Sequence, residues 1–148
     1  MVKHGTKLPG VLFMIATVVF CVWVGFADFR AQGGDKVDNR VFEMRTYYAN
    51  PGKMEALHAR FRDHTNKLFI KHGMTPIGYW SPLDPKEAEQ KMVYILAYPS
   101  KEAREKSWKE FQNDPDWKAA KAASEKNGPL VAKVEVLFLK GTDYSPIK

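Results

Sequence analysis

His58, His64 and His72 fall within one short stretch and are the residues best suited to move a proton or hold a metal. On a continuous helix His58 and His64 point about 120° apart, and His58 and His72 align but stand about 21 Å apart along the axis. No pair has the i, i+4 spacing of a helical metal site. With no cysteine or clustered carboxylate beside them, no metal site is expected. His58 and Thr65 instead leave a polar gap in an apolar stripe of Met54, Phe61 and Phe69, with His64 at its edge. These three could line a ligand pocket where helix meets sheet. The competing reading, that the histidines straddle the surface with local partners, is favoured.

A second set lies upstream, where Glu43, Arg45 and Tyr47 share one face of a strand and Phe42, Met44, Thr46 and Tyr48 share the other. Lys133 and Glu135 share a face of the last strand. A buried charge needs a partner, so Arg45 pairs with Glu43, or with Glu135 across a dimer seam, or else binds an anionic ligand. Pairing is favoured. Trp80, Trp108, Trp117 and Tyr94 could wall a pocket for a flat substrate, although aromatics at these spacings more often build a core. A cofactor-free oxygenase would need a substrate that forms its own carbanion, a dry cavity and a base, for which His58 or His64 is available. There is no Ser/His/Asp pattern, Gly-rich phosphate loop or Cys nucleophile, and no cofactor is expected.

The elements that must position these residues are legible from periodicity. Val41 to Tyr48 alternates as a strand. Asn50-Pro51 supplies an N-cap and a first-turn proline for a helix running to His72, with Met54, Leu57, Phe61, Leu68 and Phe69 as its apolar stripe and Gly73 as its left-handed stop. Met74 to Ser81 and Met92 to Tyr98 are rich in strand formers. Between them Pro82 to Gln90, with two prolines and four charged residues, is expected to be an exposed, mobile loop. Pro99-Ser100 starts a helix bearing Trp108 and Phe111. Asp114-Pro115 starts another, which ends at Asn127-Gly128-Pro129, and Val131 to Leu139 is the last strand. The order β-α-β-β-α-β, with the second helix broken, predicts an α+β, ferredoxin-like antiparallel sheet. Helices cover one face only, and the aromatic and Val content of the strands favours a second copy on the other, giving a homodimer.

From Arg40 to about Ser145 the sequence resembles the NIPSNAP family of the dimeric α+β barrel group. The resemblance rests on Glu43-Met44-Arg45-Thr46-Tyr47, Pro51-Gly52-Lys53, His72-Gly73-Met74, Gly78-Tyr79-Trp80 and Asn113-Asp114-Pro115-Asp116-Trp117, in that order. It implies a ferredoxin-like fold and a dimer more than a reaction, since the family has no settled activity. The wider group includes cofactor-independent monooxygenases, degradative enzymes and haem-handling proteins. Two functions follow as expectations: a binding module for a small or apolar molecule, and, as the alternative, a monooxygenase-like enzyme acting on an aromatic or polyketide-like substrate. The candidate ligand-binding residues are His58, Thr65, His64, Arg45, Tyr47 and Trp80.

Residues 1–27 read differently from the rest. Lys3 and Lys7 precede an uncharged run from Val11 to Ala27 that ends on the small residues Gly25 and Ala27, the grammar of a secretory signal peptide. Left uncut, roughly 17 apolar residues suffice for a membrane anchor. Cleavage after Ala27 is the favoured reading, followed by a flexible linker over 28–39 and a domain over 40–145. The run lacks the Arg- and Ser-rich amphipathic character of a mitochondrial transit peptide, so export from a bacterial cell, periplasmic or secreted, is expected. The single cysteine, Cys21, lies inside it, leaving the domain no disulfide. Past the leader, 21 basic residues face 17 acidic ones, a net charge of about +4 spread along helices; this argues against nucleic-acid binding.

Overall fold

The computed structural model describes residue 1 and residues 40–147, so the expected leader (1–27) and linker (28–39) lie outside the described residues apart from Met1. Chain contacts separate a unit spanning Met1–Gly34 from one spanning Asp35–Lys148, and the second is the domain described below. Among the described residues no helix is long and apolar enough to cross a membrane.

Four strands, β1 (Val41–Ala49), β2 (Thr75–Trp80), β3 (Lys91–Tyr98) and β4 (Val131–Lys140), form one sheet in the order β2-β3-β1-β4. Every neighbouring pair is antiparallel. This is the expected ferredoxin-like α+β topology. The first helical segment consists of α1 (Met54–Arg60), a π-helical turn (Phe61–Thr65) and α2 (Asn66–Lys71). A single turn, α3 (Pro85–Ala88), precedes β3, and α4 (Lys101–Asn113) and α5 (Pro115–Ser124) precede β4.

The expected caps operate at the second helical layer. Ser100 accepts from the Ala103 amide at 3.2 Å, and Asp114 accepts from the Asp116 and Trp117 amides with Pro115 in the first turn. Gly73, at φ +75°, ends α2 in the left-handed region that a Cβ disfavours. Leu57, Phe69, Met74, Tyr94, Leu96, Tyr98 and Phe111 are all at most 2 % exposed and form the centre of the core between sheet and helices. Each such side chain contributes about 1.5–3 kcal/mol on burial.

Three expectations change, and the structure adds which face of β1 is covered. The first helix is not continuous: the Asn66 amide bonds to the Phe61 carbonyl, five residues back, and the Thr65 hydroxyl donates to the Arg60 carbonyl at 3.2 Å. Asn50 does not cap it, because its side-chain amide donates to the Pro129 carbonyl at 2.8 Å. Pro51-Gly52 turns the chain instead, and the helix begins at Met54 behind Lys53 with no side-chain cap. Pro82 to Gln90 is not loop throughout, since Asp84 accepts from the Lys86 and Glu87 amides and starts α3. Lastly, the polar face of β1 lies beneath the helices. Glu43, Arg45 and Tyr47 pair across the sheet with Leu96, Tyr94 and Met92, all buried, whereas Thr46 and Tyr48 share the opposite face with Glu135 and Lys133.

Candidate functional site

Glu43 organises the polar interior. Fully buried, it accepts from Arg104 Nε (2.9 Å) and Nη2 (2.8 Å), Arg45 Nη1 (2.6 Å), Tyr98 Oη (3.0 Å) and Trp108 Nε1 (2.9 Å). Burial alone would raise its carboxyl, but the bonds from Arg104, Trp108 and Arg45 outweigh that and bring it to about 2. Arg45 therefore pairs with Glu43 within the chain. It does not reach Glu135, which lies on the other face bonded to Tyr48 (2.9 Å) and Lys133 (2.6 Å).

Above Arg45 lies a cavity of about 350 Å³ between the sheet and the helical layer. β1 contributes Arg45 and Tyr47, and the π turn with its flanking residue contributes Arg60, Phe61 and Thr65. α4 and α5 close it with Trp108, Phe111 and Trp117. The Arg45 guanidinium stacks 4.3 Å from the Trp108 ring centroid, and that of Arg60 lies 5.3 Å from the Trp117 centroid while bonding Glu125 at 2.8 Å. The Nε atoms of both arginines are buried with no hydrogen-bond partner. The hydroxyl of Tyr94 is also buried, and burial raises it well above the usual tyrosine range.

A second cavity of about 280 Å³ opens on the other side of Phe61, lined by His58, Arg62, Asn66, Tyr79, Trp80 and Met92. Tyr79 donates to Asn66 Oδ1 at 2.9 Å, and burial pushes its hydroxyl up to about 12. Trp80 is 49 % exposed, its indole lying against the space where a Gly78 side chain would stand. His64 is exposed and borders a groove against α5 with Asp63, Lys67 and Asp116.

The six candidate residues are thus distributed over three places. Arg45, Tyr47 and Thr65 line one cavity, His58 and Trp80 the other, and His64 neither. The π turn explains the separation, because residues in a five-residue hydrogen-bonded turn advance by less than 100° each and His64 ends further from His58 than an α-helix would place it. Of the aromatic quartet, Tyr94 and Trp108 are core residues and Trp117 packs against them, while Trp80 is apart. Arg60, Tyr98 and Arg104 are missing from the sequence-based set. Arg104, Trp108 and Phe111 have i, i+4, i+7 spacing, so an arginine on an apolar stripe was the available signal. Among the described residues no three His, Cys, Asp or Glu side chains are grouped to hold a metal.

No curated protein is similar to the chain in sequence. Solved structures match in fold. A NIPSNAP family protein from Agrobacterium tumefaciens C58 has a TM-score of 0.64 at 21% identity, covering 74% of this chain and 99% of its own. A second A. tumefaciens NIPSNAP family protein, of unknown function, has a TM-score of 0.64 at 21% identity over 75% of this chain and 96% of its own. An uncharacterized NIPSNAP-like domain protein from Burkholderia xenovorans gives 0.63 at 18% identity, covering 74% and 90%. The NIPSNAP family profile itself matches residues 42–146, from β1 through both helical layers to beyond β4, and on that match the chain belongs to the NIPSNAP family.

Proposed function

We propose that this NIPSNAP-family domain is exported from a bacterial cell as a homodimer and binds a small, mostly apolar molecule in the cavity over Arg45. The observation that carries the reading is the cavity's construction. Tyr47, Phe61, Trp108 and Trp117 give it aromatic walls, and the buried Nε atoms of the lining residues Arg45 and Arg60 lack partners. Apolar pockets with a few convergent polar groups are the usual form of a small-molecule site. Support for the dimer comes from β4, where Val136 and Phe138 on one face and Leu137 and Leu139 on the other are all exposed. An apolar edge strand left open on both faces favours a covering partner, and a second copy is the simplest one. Export rests on the signal-like sequence of residues 1–27.

Native mass spectrometry of the protein purified from its own host reads both parts of the proposal at once. A dimer carrying a retained small molecule supports it; a ligand-free monomer refutes it. A second reading is a cofactor-independent oxygenase, favoured by the position of His58 in a cavity beside Tyr79 and Trp80, where it could serve as a base. It requires oxygen uptake with a panel of quinol-like and polyketide-like substrates, abolished by His58→Ala. Absence of uptake across the panel removes it.

A further inference from the structure

The charges around the larger cavity do not cancel. Glu43 is a single carboxylate shared by two guanidinium groups, Arg45 and Arg104, and among the described residues neither arginine has another acidic partner. Arg60 is balanced by Glu125, but that pair uses Nη1 and leaves the buried Nε unclaimed, as Arg45 Nε is. The cavity wall adds Lys118 and Lys121 and contains no carboxylate. One cation therefore remains uncompensated in a cleft with aromatic walls, where positive charge is costly without a counter-ion.

Resting on the binding reading above, we infer that the ligand of this cavity is an organic anion, a carboxylate carried on a flat apolar body. Its carboxylate lies in the field of Arg45, Arg60, Lys118 and Lys121, which line the cavity, and offsets the surplus charge. Its body lies among Tyr47, Phe61, Trp108 and Trp117. A bare inorganic anion leaves these aromatic walls uncovered, and a neutral aromatic leaves the surplus positive charge unbalanced. The size also fits, since about 350 Å³ is at the small end of the roughly 300–1,000 Å³ range of ligand sites.

Isothermal titration calorimetry of the purified full chain with 2-naphthoate and its neutral counterpart 2-naphthalenemethanol tests this. The acid is expected to bind at least about tenfold more tightly than the alcohol. Arg60→Gln, and separately Lys118→Ala with Lys121→Ala on the exposed rim, are expected to cut that preference to within about threefold, with circular dichroism showing both variants folded. Equal affinity for acid and alcohol overturns the anion assignment while leaving small-molecule binding intact. A preference that survives both variants places the anion elsewhere and overturns it too. Failure of both probes to bind overturns the inference, and only an empty native mass spectrum in addition removes the binding reading itself.

Discussion

Replacing Glu43 with glutamine isolates the electrostatic centre of the fold while keeping its shape. The carboxylate receives five donor contacts, three of them from the cationic groups Arg45 and Arg104. Glutamine has one carbonyl to offer and turns an amide NH2 toward guanidinium donors, so two arginines lose their counter-charge. Removing one partner of a buried ionic group costs about 3–5 kcal/mol. The carboxyl's own titration gives a similar figure, because lowering from 4.5 to about 2 corresponds to about 3 kcal/mol. For a domain of this size that is a fall in Tm of roughly 12–20 °C. The sign with pH follows. A depressed carboxyl contributes stability above pH 4.5, and that contribution is lost as pH falls toward 2. Urea unfolding of wild type and Glu43→Gln, followed by tryptophan fluorescence at pH 7, 4 and 3, should therefore show a gap that is widest at neutral pH and shrinks with acid. A gap below about 1 kcal/mol at pH 7, or one unaffected by pH, would refute the network as the source of stability.

Three further outcomes are expected. Gly78→Ala places a Cβ 2.7 Å from the Trp80 indole, so the ring must swing away; the emission of Trp80, measured against a Trp80→Phe control, shifts while the fold persists. Unchanged emission contradicts the packing described. Asp114→Ala removes the α5 cap together with the acceptor of Lys71 (2.8 Å) and His72 (2.6 Å), lowering Tm and helical circular dichroism at neutral pH. Hydrogen bonds from Lys71 and His72 hold the Asp114 carboxyl well below the usual range, so the difference from wild type narrows only in strong acid. Amino-terminal sequencing of the exported protein is expected to begin at Asp28; a start at Met1 identifies residues 11–27 as a retained anchor.

Topology was legible because its causes are local. Alternation marks the strands, and Ser100 and Asp114-Pro115 announce their helices through the same side-chain oxygens that later cap them. Asp84-Pro85 carries the same signal and was obscured by the prolines and charges around it. Which face of β1 meets the helices was not legible, since alternation separates two faces without saying which is covered. Arg104 and Trp108, about sixty residues away, make the Glu43 face the interior one. The π turn was hidden for a different reason. Met54, Leu57, Phe61, Thr65 and Phe69 make one stripe whether or not the hydrogen bonds slip by a residue, and the choice is expressed in Thr65 and its bond to Arg60. Arg45 and Tyr47 were therefore recognisable as a pair on one strand face, while His58 was grouped with Thr65 on a winding the helix does not have.

That winding also sets which changes in length the chain can absorb. An extra residue in an α-helix ordinarily rotates everything after it by about 100°, which would carry Leu68 and Phe69 out of the core. The π turn takes up one residue locally and leaves both flanks in place. Deleting exposed Arg62 or Asp63 would accordingly be milder than deleting any residue of α1 or α2, and would restore ordinary winding over an unchanged sheet. Relatives differing by that one residue would share the scaffold and differ in the room above Arg45.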